Sequence, residues 1–335
     1  MNAESRFVPL SPYYHVSSTD KGMVDVSRPS IRNRLWGLLA GNGNGNGDGK
    51  KDLQEPNPTY PWVEDLQDHQ IGETLLSYAM EAENYGTIEW WVWRHSRTYG
   101  YARNLLSALP EDTTDGDVVL DAGCGTCAFF DVMAEWCEER EIALLGLGID
   151  ITREMIEEGE KRLRVAGRGN YLDEGRISLQ VVSWRSPDFV HMVRAFISRM
   201  TKEKTDKAKV VYCNSLRTHT PKAEMEEDYE KADQLTEEGA LLYMGLKFAD
   251  GRVYSNDDLN GRRRWFNTIS SRELVEETRV AAQHGFTPVE EAFVPHHRAN
   301  NPGWIVRIYK KVGVEEAMGN FDDYLKSVQQ IVTMR

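Results

Sequence analysis

Cysteine is scarce in this sequence. The 335 residues hold four: Cys124, Cys127, Cys137 and Cys213. That is too few for a disulfide framework and points to a reducing compartment. Cys124 and Cys127 form a C-x-x-C pair, but no second ligand pair accompanies them, so no metal is expected. Long apolar runs are absent too. No stretch approaches the roughly 20 residues that cross a bilayer, and no leader-like segment opens the sequence. A soluble, cytoplasmic protein with no membrane partner is expected. Positive charge is also in deficit, with 40 Lys and Arg against 53 Asp and Glu and a formal net charge of −13. Proteins that take nucleic acid as their main partner usually carry a basic stripe. The acidic helices here, such as Glu224 to Glu230, argue against one.

What is present divides the chain. Residues 1–58 lack periodicity, and Gly41 to Gly49 alternates glycine with asparagine or aspartate, which reads as a flexible arm and linker. Within the arm, residues 30–39 have the pattern of a short amphipathic helix. From Trp62 to Leu109 the pattern is helical, bracketed by Pro61 and Pro110. Beyond it, short apolar runs alternate with amphipathic stretches as far as residue 311, which predicts an α/β domain. A last helical pattern covers Glu315 to Met334, and packing against the N-terminal region is expected of it.

One stretch carries chemistry. Val118-Val119-Leu120 reads as a buried parallel strand, ends at Asp121, and feeds Gly123 and Gly125 before a helical pattern to Arg140. A strand, a glycine turn and a helix N-terminus form a nucleotide-binding geometry. Gly123-Cys-Gly125-Thr-Cys-Ala128 also fits the dinucleotide pattern G-x-G-x-x-A. Asp121 weighs against it, since a strand-end acid repels a pyrophosphate and favours a cationic ligand. A second strand, Leu145 to Asp150, again ends in an acid and precedes a helix with Thr152 at its cap position.

These segments resemble the first two motifs of class I S-adenosylmethionine-dependent methyltransferases, over roughly residues 117–311. The resemblance implies a Rossmann-like seven-stranded sheet, helices on both faces and an antiparallel closing pair. It implies domains at 113–312 for the fold, 59–112 for a helical cap and 313–335 for a C-terminal helix. It implies S-adenosyl-L-methionine as cofactor, held by Asp121, Ala122, Gly123, Cys124, Gly125, Asp150 and Ile151. One departure stands out. The family places an acid after the third strand, where this chain has Val182-Ser183-Trp184. Ser183 would accept from the adenine amino group and Trp184 would stack on the ring. Asn214 completes the expected cofactor set.

The reacting groups of this fold sit at the C-terminal ends of strands. His219, in the loop after the fourth strand, is the expected base, with a rate limb in the ordinary histidine range of about 6 to 7. His296 and His297 are a second candidate. Tyr85, Trp90 and Trp93, from an aromatic run too dense for one helix face, are expected to wall the acceptor pocket. Arg264 and Trp265 are expected there too, from a polar loop at 250–267 that would order over the site. The expected activity is methyl transfer to O or N of a small molecule, with a homodimer allowed. The alternatives are a protein or peptide methyltransferase docking through its arm, and a non-methylating, cofactor-binding regulator.

Overall fold

The computed structural model describes residues 65–95, 97–259, 262–294 and 303–333. The arm, its amphipathic segment, the two adjacent histidines near 296 and the side chain of Trp93 lie outside the described residues.

Two helices come first: α1 (Asp68–His95) and α2 (Arg97–Ser107). The Rossmann-like part follows as β1 (Val118–Ala122), α3 (Ala128–Arg140), β2 (Leu145–Asp150), α4 (Arg153–Val165), the short α5 (Gly169–Asp173), β3 (Ile177–Val181), α6 (Phe189–Met200) and β4 (Ala208–Asn214). Two 3-10 turns, Leu216–His219 and Lys222–Glu224, lead into α7 (Met225–Leu235) and β5 (Thr236–Phe248). Then come β6 (Val253–Leu259), β7 (Arg262–Asn267), α8 (Ser271–Gln283), β8 (Phe286–Val294), β9 (Gly303–Lys311) and α9 (Val314–Thr333).

Seven strands form one sheet in the order β3-β2-β1-β4-β5-β9-β8. Its first five strands are parallel and β9 runs antiparallel to both neighbours. Strand alternation splits the core into two layers. Val119, Val210, Tyr212, Leu241, Tyr243 and Ile308 face α2, α3 and α4. Val118, Leu120, Val211, Leu242, Met244 and Tyr309 face α6, α7 and α8. Order reverses between β1 and β4, which run outward to opposite edges, and a crevice opens there at the strands' C-terminal ends.

Two expectations are corrected, on the 250–267 segment and on the Thr152 cap. Residues 250–267 are not an open loop: β6 and β7 pair as an antiparallel ribbon. Its polar sequence hid an alternation in which Val253 and Trp265 turn inward against Leu66 and Ile71. Among the described residues the last helix packs on α8 and the sheet edge, where Ala317 and Phe321 meet Ala282 and Val312, and the N-terminal arm lies outside them. Thr152 holds the N-cap position of α4, but its side chain makes no capping bond. The α8 start is capped by Ser270 and Glu273, which form a reciprocal capping box.

Candidate functional site

Above the crevice sits a cleft with about 930 Å³ of empty space. Its floor is the glycine loop. Gly123 and Gly125 have φ of +75° and +52°, a region that side chains resist. A Cβ on Gly123 would also press on Leu216 at 3.3 Å. The loop hangs from β2, since the amides of Gly123 and Cys124 both donate to the Ile149 carbonyl at 2.8 and 2.9 Å.

Asp150, the last residue of β2, is the anchor of this end. Its Oδ2 accepts from the Gly125 amide at 3.0 Å and its Oδ1 from the Thr152 amide at 2.8 Å. Burial still raises the carboxyl pKa against the pull of those bonds. A ligand diol donating to this carboxylate would restore what burial removes. Ile151, Met155, Val182, Ser183, Trp184 and Arg185 continue the wall as an apolar shelf with a polar rim. The donor set fits a nucleoside: a strand-end carboxylate for ribose hydroxyls, bare loop backbone for a charged tail, and flat apolar surface for a base.

Trp184 is held from behind. Its indole N–H donates to Asp228 Oδ1 at 2.6 Å, and Lys231 Nζ donates to its carbonyl at 2.9 Å. The same buried Asp228 pairs through Oδ2 with Arg217 Nε at 3.1 Å. Arg217 then donates to the carbonyls of Thr220, Pro221 and Lys222, at 3.2, 2.7 and 3.1 Å. One carboxylate thus fixes both the shelf tryptophan and the turn that carries His219. That turn begins at Ser215, whose φ of +71° is strained for a side chain.

His219 lines the far end of the cleft. Its Nδ1 lies 2.9 Å from the Trp265 carbonyl, which can only accept, so Nδ1 carries the proton and Nε2 has a lone pair. The Tyr78 hydroxyl, 3.2 Å from Nε2, therefore donates to it. Burial first, then the nearby Arg264 and Lys247 cations, push the histidine pKa down to about 4. The imidazole is neutral at pH 7. Tyr78 and Tyr85 meet edge to face at 5.1 Å, and with Ile71, Leu75 and Leu216 they complete the wall.

Not every expected residue lines this cleft. Gly123, Gly125, Asp150, Ile151, Ser183, Trp184, Asn214, Tyr85 and His219 are brought together around it. Asp121, Ala122 and Cys124 are buried beneath the loop, with Asp121 only 2% exposed. Trp90 instead joins the cap to the loop, its indole N–H donating to the Thr126 carbonyl at 2.9 Å. The Trp265 indole points away to Glu73 at 2.7 Å and packs in the ribbon core, while its backbone reaches His219. Arg264 stands behind the wall, its guanidinium 5.5 Å from the Tyr78 ring and 5.9 Å from that of Tyr85. Tyr78 was missed in the sequence. Its signal was position: it lies seven residues before Tyr85 in the same helical stretch, across a kink at Glu81.

Among the described residues no cluster of His, Cys, Asp or Glu could hold a metal ion. Cys124 and Cys127 are buried thiols with sulfurs 3.7 Å apart, and burial raises the Cys124 pKa well above the usual thiol range. No described helix is long and apolar enough to cross a membrane.

The strand order, the antiparallel last pair and the acid-ended second strand beside a glycine loop give this chain the fold of the class I S-adenosylmethionine-dependent methyltransferases. Among solved structures it is similar to the 1,6-didemethyltoxoflavin-N1-methyltransferase of Burkholderia thailandensis, at 18% identity and TM-score 0.48, over 74% of this chain and 92% of that one. A SAM-dependent methyltransferase of Methanosarcina mazei matches at 17% and 0.44, over 62% and 96%. The magnesium protoporphyrin IX methyltransferase of Synechocystis PCC 6803 matches at 12% and 0.41, over 74% and 86%. No protein-family model matches the sequence, and no curated protein does.

Proposed function

We propose that this protein transfers a methyl group from S-adenosylmethionine to an oxygen or nitrogen of a small molecule. One observation carries the reading. A single cleft joins the Asp150 and glycine-loop anchor to a neutral, oriented histidine at its other end. Asp150 would take the ribose hydroxyls, the Gly123 to Gly125 backbone the amino-acid tail, and Ile151, Val182, Ser183 and Trp184 the adenine. Bound there, the cofactor supplies an electrophilic methyl group on sulfur.

The chain's own residues then position, desolvate and move a proton. Helix α1 lines the cleft with Ile71, Leu75 and Tyr78, apolar surface that would exclude water around a bound acceptor. The Trp265 carbonyl keeps the His219 ring in the tautomer whose Nε2 accepts. Because Tyr78 occupies that lone pair, an acceptor proton would pass to the Tyr78 oxygen as the tyrosine's own proton moves to Nε2. A cytoplasmic location and a homodimer belong to the same proposal.

A second reading, a cofactor-binding regulator that does not methylate, draws on Ser183. It stands where the family has an acid, and its hydroxyl accepts from the Arg185 amide at 3.2 Å. One experiment separates the two. The protein is titrated with S-adenosylmethionine and S-adenosylhomocysteine by calorimetry, then incubated with methyl-labelled cofactor and a metabolite extract. Label in a small-molecule product supports the enzyme. Binding without transfer supports the regulator, and tight binding of a nicotinamide dinucleotide instead would sink both.

A further inference from the structure

On the methyl-transfer reading above, His219 acts through the ring nitrogen that carries no proton. An isolated neutral imidazole can protonate either nitrogen. Here the Trp265 carbonyl, 2.9 Å from Nδ1, selects one form, because the other would set a lone pair against the carbonyl oxygen. The choice depends on where β7 holds that carbonyl. A two-stranded ribbon is marginal on its own, so what β7 leans on matters, and α1 meets Trp265 in several ways. Ile71 shares a small core with its side chain. Glu73 accepts from its indole at 2.7 Å. Thr74 Oγ1 accepts from its backbone N–H at 2.9 Å.

We propose that Thr74 is a positioning residue for the reaction: by holding the Trp265 backbone it selects the His219 tautomer whose Nε2 can accept a proton. The N–H and C=O of one strand residue leave by the same edge. A bond on the Trp265 amide therefore fixes the edge from which its carbonyl is offered to His219. Thr74 is 1% exposed and gives its own proton to the Gln70 carbonyl at 2.9 Å, which leaves its oxygen to accept. The bond to Gln70 is the ordinary use of a threonine inside a helix. Accepting from a strand 191 positions away is not. Thr74 and Tyr78 lie four residues apart on one face of α1, ahead of its kink, and both line the cleft. Both histidine nitrogens are thus governed from neighbouring turns of one helix, by Tyr78 directly at Nε2 and by Thr74 through β7 at Nδ1. Without the Thr74 oxygen the Trp265 amide loses its acceptor on α1. A buried donor that loses a partner is costly, movement of the strand relieves it, and the carbonyl moves with the strand.

The test uses the full chain, labelled at histidine with the heavy nitrogen isotope and saturated with S-adenosylhomocysteine. Long-range nitrogen–proton NMR spectra distinguish the protonated ring nitrogen from the bare one, and the His219 signals are those missing in His219→Gln. Wild-type His219 should be held as the Nδ1–H tautomer. Thr74→Val keeps the shape and removes the hydroxyl, and it should move the tautomer ratio about 3- to 10-fold toward Nε2–H, the worth of one ordinary hydrogen bond. Thr74→Ser keeps the hydroxyl and should restore the wild-type ratio. Methyl transfer from labelled cofactor into a metabolite extract should fall in Thr74→Val and recover in Thr74→Ser. Both variants should bind S-adenosylhomocysteine as the wild type does, by calorimetry, which shows that they are folded. A wild-type Nε2–H tautomer, an unchanged ratio in Thr74→Val, or a shifted ratio with no loss of transfer overturns the inference while leaving methyl transfer intact. Failure of the wild-type chain to bind S-adenosylhomocysteine or to transfer the label overturns the methyl-transfer reading, and the inference with it.

Discussion

The two ends of the cleft are built in different ways. The anchor of the cofactor end comes from consecutive elements: β1, its glycine loop, β2 and the start of α4 lie within about 40 residues, and only the shelf at Val182, Ser183 and Trp184 comes from further along the chain. The acceptor end is assembled from far-apart pieces. Tyr78 and His219 are 141 positions apart, and the Trp265 carbonyl that orients His219 is 46 further on. A site made of local segments is set by backbone hydrogen bonds, such as those from Gly123, Cys124 and Gly125. A site made of distant ones depends on side-chain ties, and removing one tie should be felt at both of the elements it joins.

The largest effect should come from His219→Ala, which leaves the cofactor end untouched. Turnover should drop about 10²- to 10⁴-fold, the span for loss of a general base, with S-adenosylhomocysteine affinity near wild type by calorimetry. The pH profile sharpens the same point. A pKa near 4 moves the acid limb of the rate well below the ordinary histidine range. The protonated form is disfavoured in the fold, so this group's contribution to stability falls as pH drops from about 6.5, its unfolded value, toward 4. Turnover measured from pH 4.5 to 8 should stay nearly flat, and a limb at 6 to 7 would break the assignment.

Asp228→Asn should come next, because it loosens both ends together. Removing one partner of a buried ion pair destabilises by about 3–5 kcal/mol, which thermal melting would register. Cofactor affinity and turnover should fall together. A variant that lost stability alone would show Asp228 to be only a core residue. Asp150→Ala should act on the cofactor end only, weakening S-adenosylhomocysteine by about 1.5–3 kcal/mol, as for hydrogen bonds to charged groups. Trp265→Phe should be mildest. It gives up the indole bond to Glu73, worth about 1.5–3 kcal/mol of stability at most, and keeps the backbone carbonyl that orients His219, so the shape of the pH profile should not change.

The same contrast explains what could be read in advance. The strands, the glycine loop and Asp150 were legible because their signals are local: an apolar run, an acid at its end, residues with no Cβ. Asp121 looked identical to Asp150 in pattern. It lies one residue inside β1, which ends at Ala122, whereas Asp150 closes β2, and that single step separates burial from the cleft. Trp90 and Trp265 were assigned to the wall because aromatic density does not say which side of a helix or ribbon faces the ligand. Tyr78 was overlooked because its role depends on a histidine from another part of the chain. His219 could be placed at the cleft because the fold dictates where its loop must lie, though nothing local announced the tyrosine that donates to it.

Gly245 has a part in this although it does not line the cleft. It sits on β5 beside the end of β4, and a Cβ there would lie 2.5 Å from Asn214 Oδ1. Any side chain at Gly245 must displace the Asn214 side chain, which lines the cleft. The cleft wall can therefore be altered from a neighbouring strand, through a residue that does not itself line it. A selection for smaller acceptors could find its answer at a position that a search confined to cleft-lining residues would never sample.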